Sequence, residues 1–203
     1  CADGELLIFY DSDIIATKNY IKMFQDSIKK RLFLTSYPIR LSAEQTEKLT
    51  ISDIEQFNFD TVTAKQKNKI RRQFIVDRYY NVLNFIKPTS KKKQPKLRGG
   101  VCALFKEDFF AINGYDEKFI GWGNEDDNLG KRLYRLGLNG YNPSFNEYPL
   151  HLYHEPFNVN GFRANKEYVR SLASLMRSGE YRCEFGIDNR FQDDPINYDE
   201  IKK

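Results

Sequence analysis

The chain has 203 residues, 40% hydrophobic and 30% charged with a net charge of +4, which is enough to bury a substantial core in about one domain. That balance excludes a disordered chain. The three widely spaced cysteines, Cys1, Cys102 and Cys183, exclude a disulfide miniprotein and a CxxC zinc pair, and read as reduced thiols of a cytosolic protein.

In chain order, Leu6-Leu7-Ile8-Phe9-Tyr10 is an apolar run without alternation, ended abruptly by Asp11-Ser12-Asp13. It predicts a strand buried on both faces, as in a parallel sheet. Thr17 is placed to cap a helix whose apolar positions Ile21, Phe24 and Ile28 fall three and four apart, and 31–37 returns as a strand stopped by Pro38. Strand, helix and strand in succession imply the α/β class.

From Ser42 the character changes. Capping-box spacing, Ser42 with Gln45 and Ser52 with Glu55, starts two short helices. A longer helix is predicted over 65–85, with Ile75, Tyr79, Val82 and Ile86 on its buried stripe, followed by a flexible loop over 88–95 that carries Lys91-Lys92-Lys93. Between Lys65 and Arg98 twelve Lys or Arg stand against one acid, Asp77, so this stretch carries +11 and the rest of the chain −7. Such a block fits anionic lipid headgroups, an acidic glycan, nucleic acid or a merely solvated helix face. No RNA-binding signature with paired aromatics accompanies it, so no nucleic-acid partner is expected.

Arg98-Gly99-Gly100 leads into an apolar strand over 101–105, and 106–113 is a short helix closed by Gly114. Asn124 has the character of an N-cap for a helix with Leu129, Leu133 and Leu136 on one face and Gly137 just past its end. Residues 148–153 are strand-like, 165–177 form an amphipathic helix, and the remainder is a polar tail.

Three places carry chemistry. Asp11 and Asp13 lie at the carboxyl end of the first strand, where open α/β sheets form their ligand crevice, and two hard carboxylates there can hold a divalent cation that bridges to a diphosphate. Acidic pairs also occur in ordinary turns. His151 and His154, the only histidines, stand three apart in Leu150-His151-Leu152-Tyr153-His154-Glu155. With carboxylates they make a mixed nitrogen and oxygen shell that favours manganese over magnesium, with His154 the preferred ligand, although a histidine beside a strand also serves as a packed, hydrogen-bonded side chain. In Gly121-Trp122-Gly123-Asn124-Glu125-Asp126-Asp127, three carboxylates in a first helical turn complement the helix dipole. The dipole does not account for the chain's single tryptophan between two glycines. An aromatic platform beside acids suits a sugar ring, and one of those acids can take a proton from an attacking hydroxyl.

From Leu97 to Gly137, the order Gly99-Gly100-Val101, Ala103-Leu104, Lys106-Glu107, Ile112-Asn113-Gly114, Gly121-Trp122-Gly123, Glu125-Asp126-Asp127, Arg132-Leu133 and Gly137 closely resembles the carboxyl-terminal part of β-1,4-galactosyltransferases. Family-two glycosyltransferases of bacteria, chondroitin-type polymerases among them, share much of this pattern. The resemblance implies a GT-A fold spanning 1–203 as a single glycosyltransferase domain. Its parts are 1–41 with the acidic motif, 42–97 as a helical basic insertion, 98–160 as the acceptor and catalytic part, and 161–203 as a terminal helix and tail.

It also implies an inverting, Mn2+- or Mg2+-dependent transfer of a Gal- or GalNAc-type sugar from a UDP-sugar donor to a glycan or glycolipid acceptor. Asp13 matches the final acid of the family's DxD motif, with Asp11 facing the nucleotide, and His154 matches the metal-binding histidine. His151 stands where the galactosyltransferases have methionine, so a second imidazole would replace the thioether. Asp126 matches the catalytic base, Glu125 and Asp126 the acceptor contacts, and Trp122, Gly99, Gly100 and Gly123 the substrate cleft. Leu97 stands in place of a tyrosine, which would open room for an N-acetyl group on the donor. Asn124 replaces a glycine.

Only ten residues precede Asp11, whereas the family has several strands and helices there, so the natural protein is expected to extend upstream. The expectation is a cytoplasmic enzyme of bacterial type in polysaccharide or glycolipid synthesis, touching the inner face of an anionic membrane. The alternatives are a non-catalytic sugar- or nucleotide-binding module and an anionic-polymer binder using the basic segment.

Overall fold

The computed structural model describes residues 3–86, 94–97, 100–121, 123–155 and 165–189. It is α/β, as the alternation of elements predicts. A four-stranded sheet has the order β1-β5-β3-β6, from β1 (Leu6–Tyr10), β3 (Leu32–Thr35), β5 (Val101–Phe105) and β6 (Asn139–Tyr141). A three-stranded ladder has the order β2-β7-β4, from β2 (Ile14–Ile15), β4 (Ile39–Arg40) and β7 (Leu150–His151).

The opening strand differs from expectation. β1 runs antiparallel to β5, in the register Leu6↔Phe105 to Tyr10↔Val101, at one end of the strand order, and all five of its residues are half-buried. Its apolar run is uniform because each face has its own cover. Leu6, Ile8 and Tyr10 pack toward Tyr20 and Phe24, while Phe9 meets Phe109 and Tyr115 on the other side. In the four-stranded sheet only β3 and β6 pair in parallel.

Helix α1 (Tyr20–Ser27) buries Tyr20 and Phe24 and leaves Ile21 exposed. Thr17 does not cap it with its side chain: its hydroxyl donates to Glu147 at 2.6 Å, and Asn19 holds the N-cap position. Helix α2 (Ala43–Glu47) has the expected capping box, Ser42 with Gln45. Helix α3 (Ile51–Glu55) starts two residues earlier than its sequence signal, because Thr50 and Asp53 form the reciprocal pair instead of Ser52 and Glu55.

The long helix α4 (Ala64–Ile86) exists as expected, but its orientation is reversed. Ile70 and Asp77 are buried, and Ile75, Tyr79, Val82 and Ile86 face solvent. Apolar residues occupy both sides of this helix, since Phe74, Val76 and Leu83 are half-buried, so periodicity alone could not choose the inward face. The lysine cluster at 91–93 lies outside the described residues, as do Cys1 and the tail beyond 189. Cys102 and Cys183 are free thiols, both buried.

Helix α5 (Lys106–Ala111) ends at the left-handed Gly114, and α6 (Glu125–Leu136) ends at Gly137, φ 96°, as its sequence predicts. Leu129 and Leu133 are fully buried among Phe33, Leu97, Leu104 and Ile112. Arg132 is buried with them. Its guanidinium donates to Asn128 Oδ1 at 2.7 Å and to the carbonyls of Ile112 at 2.7 Å and Gly114 at 2.8 Å, fastening α6 to the loop after α5. The chain leads on to α7 (Lys166–Arg177).

Gly140, in the parallel pair, has no room for a side chain. A Cβ there would run into the Tyr134 hydroxyl and come within 2.9 Å of Phe33 Cζ. Gly140→Ala is expected to destabilise the fold by roughly 1–3 kcal/mol. Adding Tyr134→Phe, which removes the nearest obstacle, should recover part of that loss in urea unfolding.

Candidate functional site

The site begins with backbone pairing. β2 and β7 are antiparallel with Ile14 opposite His151, and the Leu152 amide donates to the Asp13 carbonyl at 2.9 Å. This pairing brings the end of the acidic turn against the Leu150-to-Glu155 segment. Asp13 Oδ2 lies 3.5 Å from His151 Nε2 and 3.2 Å from His154 Nε2, and the three ligand-type atoms all fall within 4.8 Å of one another. The imidazoles stand 5.2 Å apart.

The other nitrogen of each ring is engaged by backbone. His151 Nδ1 is 2.7 Å from the Leu152 carbonyl and His154 Nδ1 is 2.9 Å from the Glu155 carbonyl. The Nε2 atoms of both rings lie against the same carboxylate oxygen, Asp13 Oδ2. The donor set therefore fits a divalent cation that accepts mixed nitrogen and oxygen ligands.

The turn itself is tightly drawn. The Asp11 amide donates to the Gly100 carbonyl at 3.0 Å, and the Ile14 amide donates to the Asp11 carbonyl at 3.2 Å. Gly100 has φ +120°, and a Cβ on it would sit 2.8 Å from Ile14 Cδ1, so glycine alone fits beneath the turn. The Asp11 carboxyl is pushed up by partial burial and by Asp13 and Glu125, against an opposing pull from His151. That combination joins the imidazole cluster electrostatically to the acids of α6.

The start of α6 is irregular. Gly121, Gly123 and Asn124 are all left-handed, and Asn124 makes no side-chain cap, contrary to its sequence signal. Its φ of 76° belongs to a turn that favours glycine, and its side chain is thereby kept from the capping position. Glu125, Asp126 and Asp127 then fill the first turn.

Asp126 Oδ1 accepts a hydrogen bond from the Tyr115 hydroxyl at 3.2 Å. Burial and the neighbouring Glu125 push the Asp126 carboxyl up to about 6, with the Tyr115 hydrogen bond opposing. Tyr115 and Cys102 beside it are themselves pushed well up by burial, so both remain protonated neighbours. Glu125 Oε2 is buried with no hydrogen-bond partner among the described residues, an orphaned acceptor next to the base candidate.

Leu97 is not an open position. It is packed in the core against Gly130, where a Cβ would come within 2.9 Å of Leu97 Cβ. It also edges a cavity of about 490 Å³ between α4 and α6, whose walls include Asp77, Tyr80, Asp127 and Lys131. A larger cavity of about 690 Å³ lies among α2, α3 and the start of α4, apart from the imidazoles. Gly99 and Trp122 fall outside the described residues.

Two residues that sequence reasoning passed over are Tyr115 and Asn165. Buried Asn165 donates to the Gly123 carbonyl at 2.8 Å and the Ile120 carbonyl at 3.2 Å, and accepts from the Ile120 amide at 3.0 Å. It ties Ile120 and Gly123 to the start of α7. No spacing in the chain signals it, because its partners are backbone groups far upstream.

The α/β fold thus gathers one carboxylate and two imidazoles into a group that could hold a metal ion, with the raised Asp126 carboxyl at the start of α6. The family described as the N-terminal domain of galactosyltransferase matches residues 81–155. β-1,4-galactosyltransferase 4 of Cricetulus griseus is 40% identical over 57 residues, 27% of this chain and 17% of that protein. β-1,4-galactosyltransferase 5 of Sus scrofa is 32% identical over 107 residues, 52% of this chain and 26% of that protein. N-acetylgalactosaminyltransferase 6 of Drosophila melanogaster is 26% identical over 179 residues, 83% of this chain and 25% of that protein.

Among solved structures, GalNAc-T7 with UDP, GalNAc and Mn2+ is similar at 15% identity and a TM-score of 0.47, covering 83% of this chain and 32% of that one. The chain is similar to the galactosyltransferases over part of its length, and spans 17–26% of the three curated relatives. These relatives are animal proteins, which lends no support to the bacterial expectation.

Asn165→Ala would leave three backbone groups of the loop without partners. It is expected to cost roughly 1–3 kcal/mol of stability, seen in thermal unfolding, and to speed amide hydrogen exchange at residues 120–124.

Proposed function

We propose that this chain is the catalytic portion of an inverting glycosyltransferase that moves a Gal- or GalNAc-type sugar from a UDP-sugar to a hydroxyl of a glycan or glycolipid acceptor, within a GT-A architecture. The observation that carries the reading is the gathering of Asp13 and His154, which the galactosyltransferase resemblance singled out from separate parts of the chain, with His151 beside them. The similarity to the galactosyltransferase family over 81–155 agrees with it.

Asp13 Oδ2 and the Nε2 atoms of His151 and His154 would hold the cation, manganese in preference to magnesium because two donors are imidazole. When bound, such an ion supplies countercharge to a departing diphosphate. Asp11, at the other end of the turn, faces the nucleotide in this reading. Asp126 is the base. Its Oδ1 is held by Tyr115, which leaves Oδ2 to receive the proton of the acceptor hydroxyl as that oxygen attacks the sugar's anomeric carbon opposite the diphosphate. Glu125, with its unpaired buried oxygen, is suited to accept a hydrogen bond from another hydroxyl of the acceptor. Gly100 and Gly123 shape the cleft around these groups, with Gly99 and Trp122 assigned to it from the sequence.

The reading is tested by manganese-dependent UDP release from UDP-Gal and UDP-GalNAc in the presence of a sugar acceptor. Asp126→Asn is expected to lower the rate by roughly 10²- to 10⁴-fold while Mn2+ binding, followed by calorimetry, stays intact. Asp13→Asn and His154→Ala should weaken Mn2+ binding itself. Mn2+ and UDP binding without any UDP release would leave a binding module in place of an enzyme.

A second prediction follows from the raised carboxyl. Because Asp126 accepts a proton only when ionised, the rate should fall as pH drops through about 6. Tyr115→Phe removes a hydrogen bond that favours the carboxylate, so the acid limb should move to higher pH. A limb that stays fixed in this variant would assign it to another group.

A further inference from the structure

The outward face of α4 has a composition that a solvated helix does not need. Ile75, Tyr79, Val82 and Ile86 recur every three or four residues and are 60%, 59%, 57% and 64% exposed, with Phe85 beside them at 90%. At 100° per residue these side chains form one stripe over 75–86, and the cations fall to either angular side of it, Lys65, Lys69 and Arg72 on the turns that precede the stripe and Arg71 and Arg78 on the opposite flank. Arg71 and Arg78 are tied to the body, stacking on Phe145 and on Tyr141 and Phe74. Among the described residues, no ion pair joins any cation of this helix to an acid.

The one acid of the segment is turned inward. Asp77 is buried, its two oxygens accepting from Gln73 Nε2 and Asn142 Nδ2, each at 2.9 Å. The exposed surface of α4 therefore presents apolar and positive groups and no negative ones.

From this we infer that α4 docks the chain onto an anionic lipid surface, lying in the plane of the headgroups. The apolar stripe would enter the boundary of the acyl chains while Lys65, Lys69 and Arg72, on the preceding turns of the same helix, reach lipid phosphates with their charged heads. A nucleic acid would reward the cations but not Ile75, Val82 and Ile86, which offer no stacking face. A second copy would bring two acid-free cationic faces together, which like-charge repulsion opposes. No helix among the described residues is long and apolar enough to cross a membrane, so contact of α4 is in-plane. The inference stands apart from the proposed sugar transfer, since it uses none of the groups assigned to it.

The test is co-sedimentation of the 203-residue chain with phosphatidylcholine vesicles, with and without phosphatidylglycerol. Binding is expected only to the anionic vesicles, weakening as salt rises. The double variant Ile75→Ser, Val82→Ser should bind about tenfold or more weakly at fixed salt. The triple variant Lys65→Gln, Lys69→Gln, Arg72→Gln should lose the preference for anionic lipid. All five side chains are exposed, so unchanged unfolding midpoints should show that folding is intact.

Absence of binding to anionic vesicles at low salt overturns the inference. So does apolar-variant binding equal to that of the parent chain, with heparin competing fully, which would make the face a polyanion site. Concentration-dependent dimers abolished by the serine variant, without vesicle binding, would make it a self-association surface and equally overturn the proposal.

Discussion

The candidate site depends on a very short piece of sheet. The β2–β7 pairing sets Ile14 against His151 and ties the Asp13 carbonyl to the Leu152 amide, and every relation between the acidic turn and the two imidazoles follows from that register. Sliding the pairing by one residue would send His151 to the opposite face of the ladder. The ladder is anchored on its far side by β4, where Ile39 and Leu41 pack with Leu150, Phe59 and Ile70. The segment between β4 and β5, read from sequence as an insertion, thus contributes directly to the core beneath the site through Phe59, Val62 and Ile70.

Charge is distributed with the same economy. Across the junction of the acidic turn and α6, burial together with Asp13 and Glu125 raises the Asp11 carboxyl, and burial together with Glu125, Asp11 and Asp127 raises that of Asp126. The cations, by contrast, are concentrated on α4, whose inner face packs against the ladder carrying His151.

Much of this was legible in the chain. The acidic stop after an apolar strand, the histidine pair and the Gly-Trp-Gly run before three acids each carry a chemical reason for their spacing, and their order in the chain strengthens the combined pattern. Of the small ladder only β7 was legible, inside the strand-like stretch 148–153, since the two-residue β2 and β4 have no periodicity to detect. The orientation of α4 was misread for a related reason: both its faces carry apolar residues, and only the placement of Ile70 against Leu41 and Leu150 settles which one is inside. Asn124 was misjudged because a capping side chain and a left-handed backbone are favoured by the same residue type, and here the backbone requirement wins.

Arg132 gives the site a character beyond its geometry. The guanidinium joins α6 to the loop from which Tyr115 rises through charge-assisted bonds to two backbone carbonyls, while apolar packing does the rest. Apolar attraction fades on cooling, whereas a buried fork of this kind does not depend on water entropy in the same way. The spacing between the phenol and the carboxylate it holds is therefore built to survive low temperature better than the hydrophobic core that surrounds it.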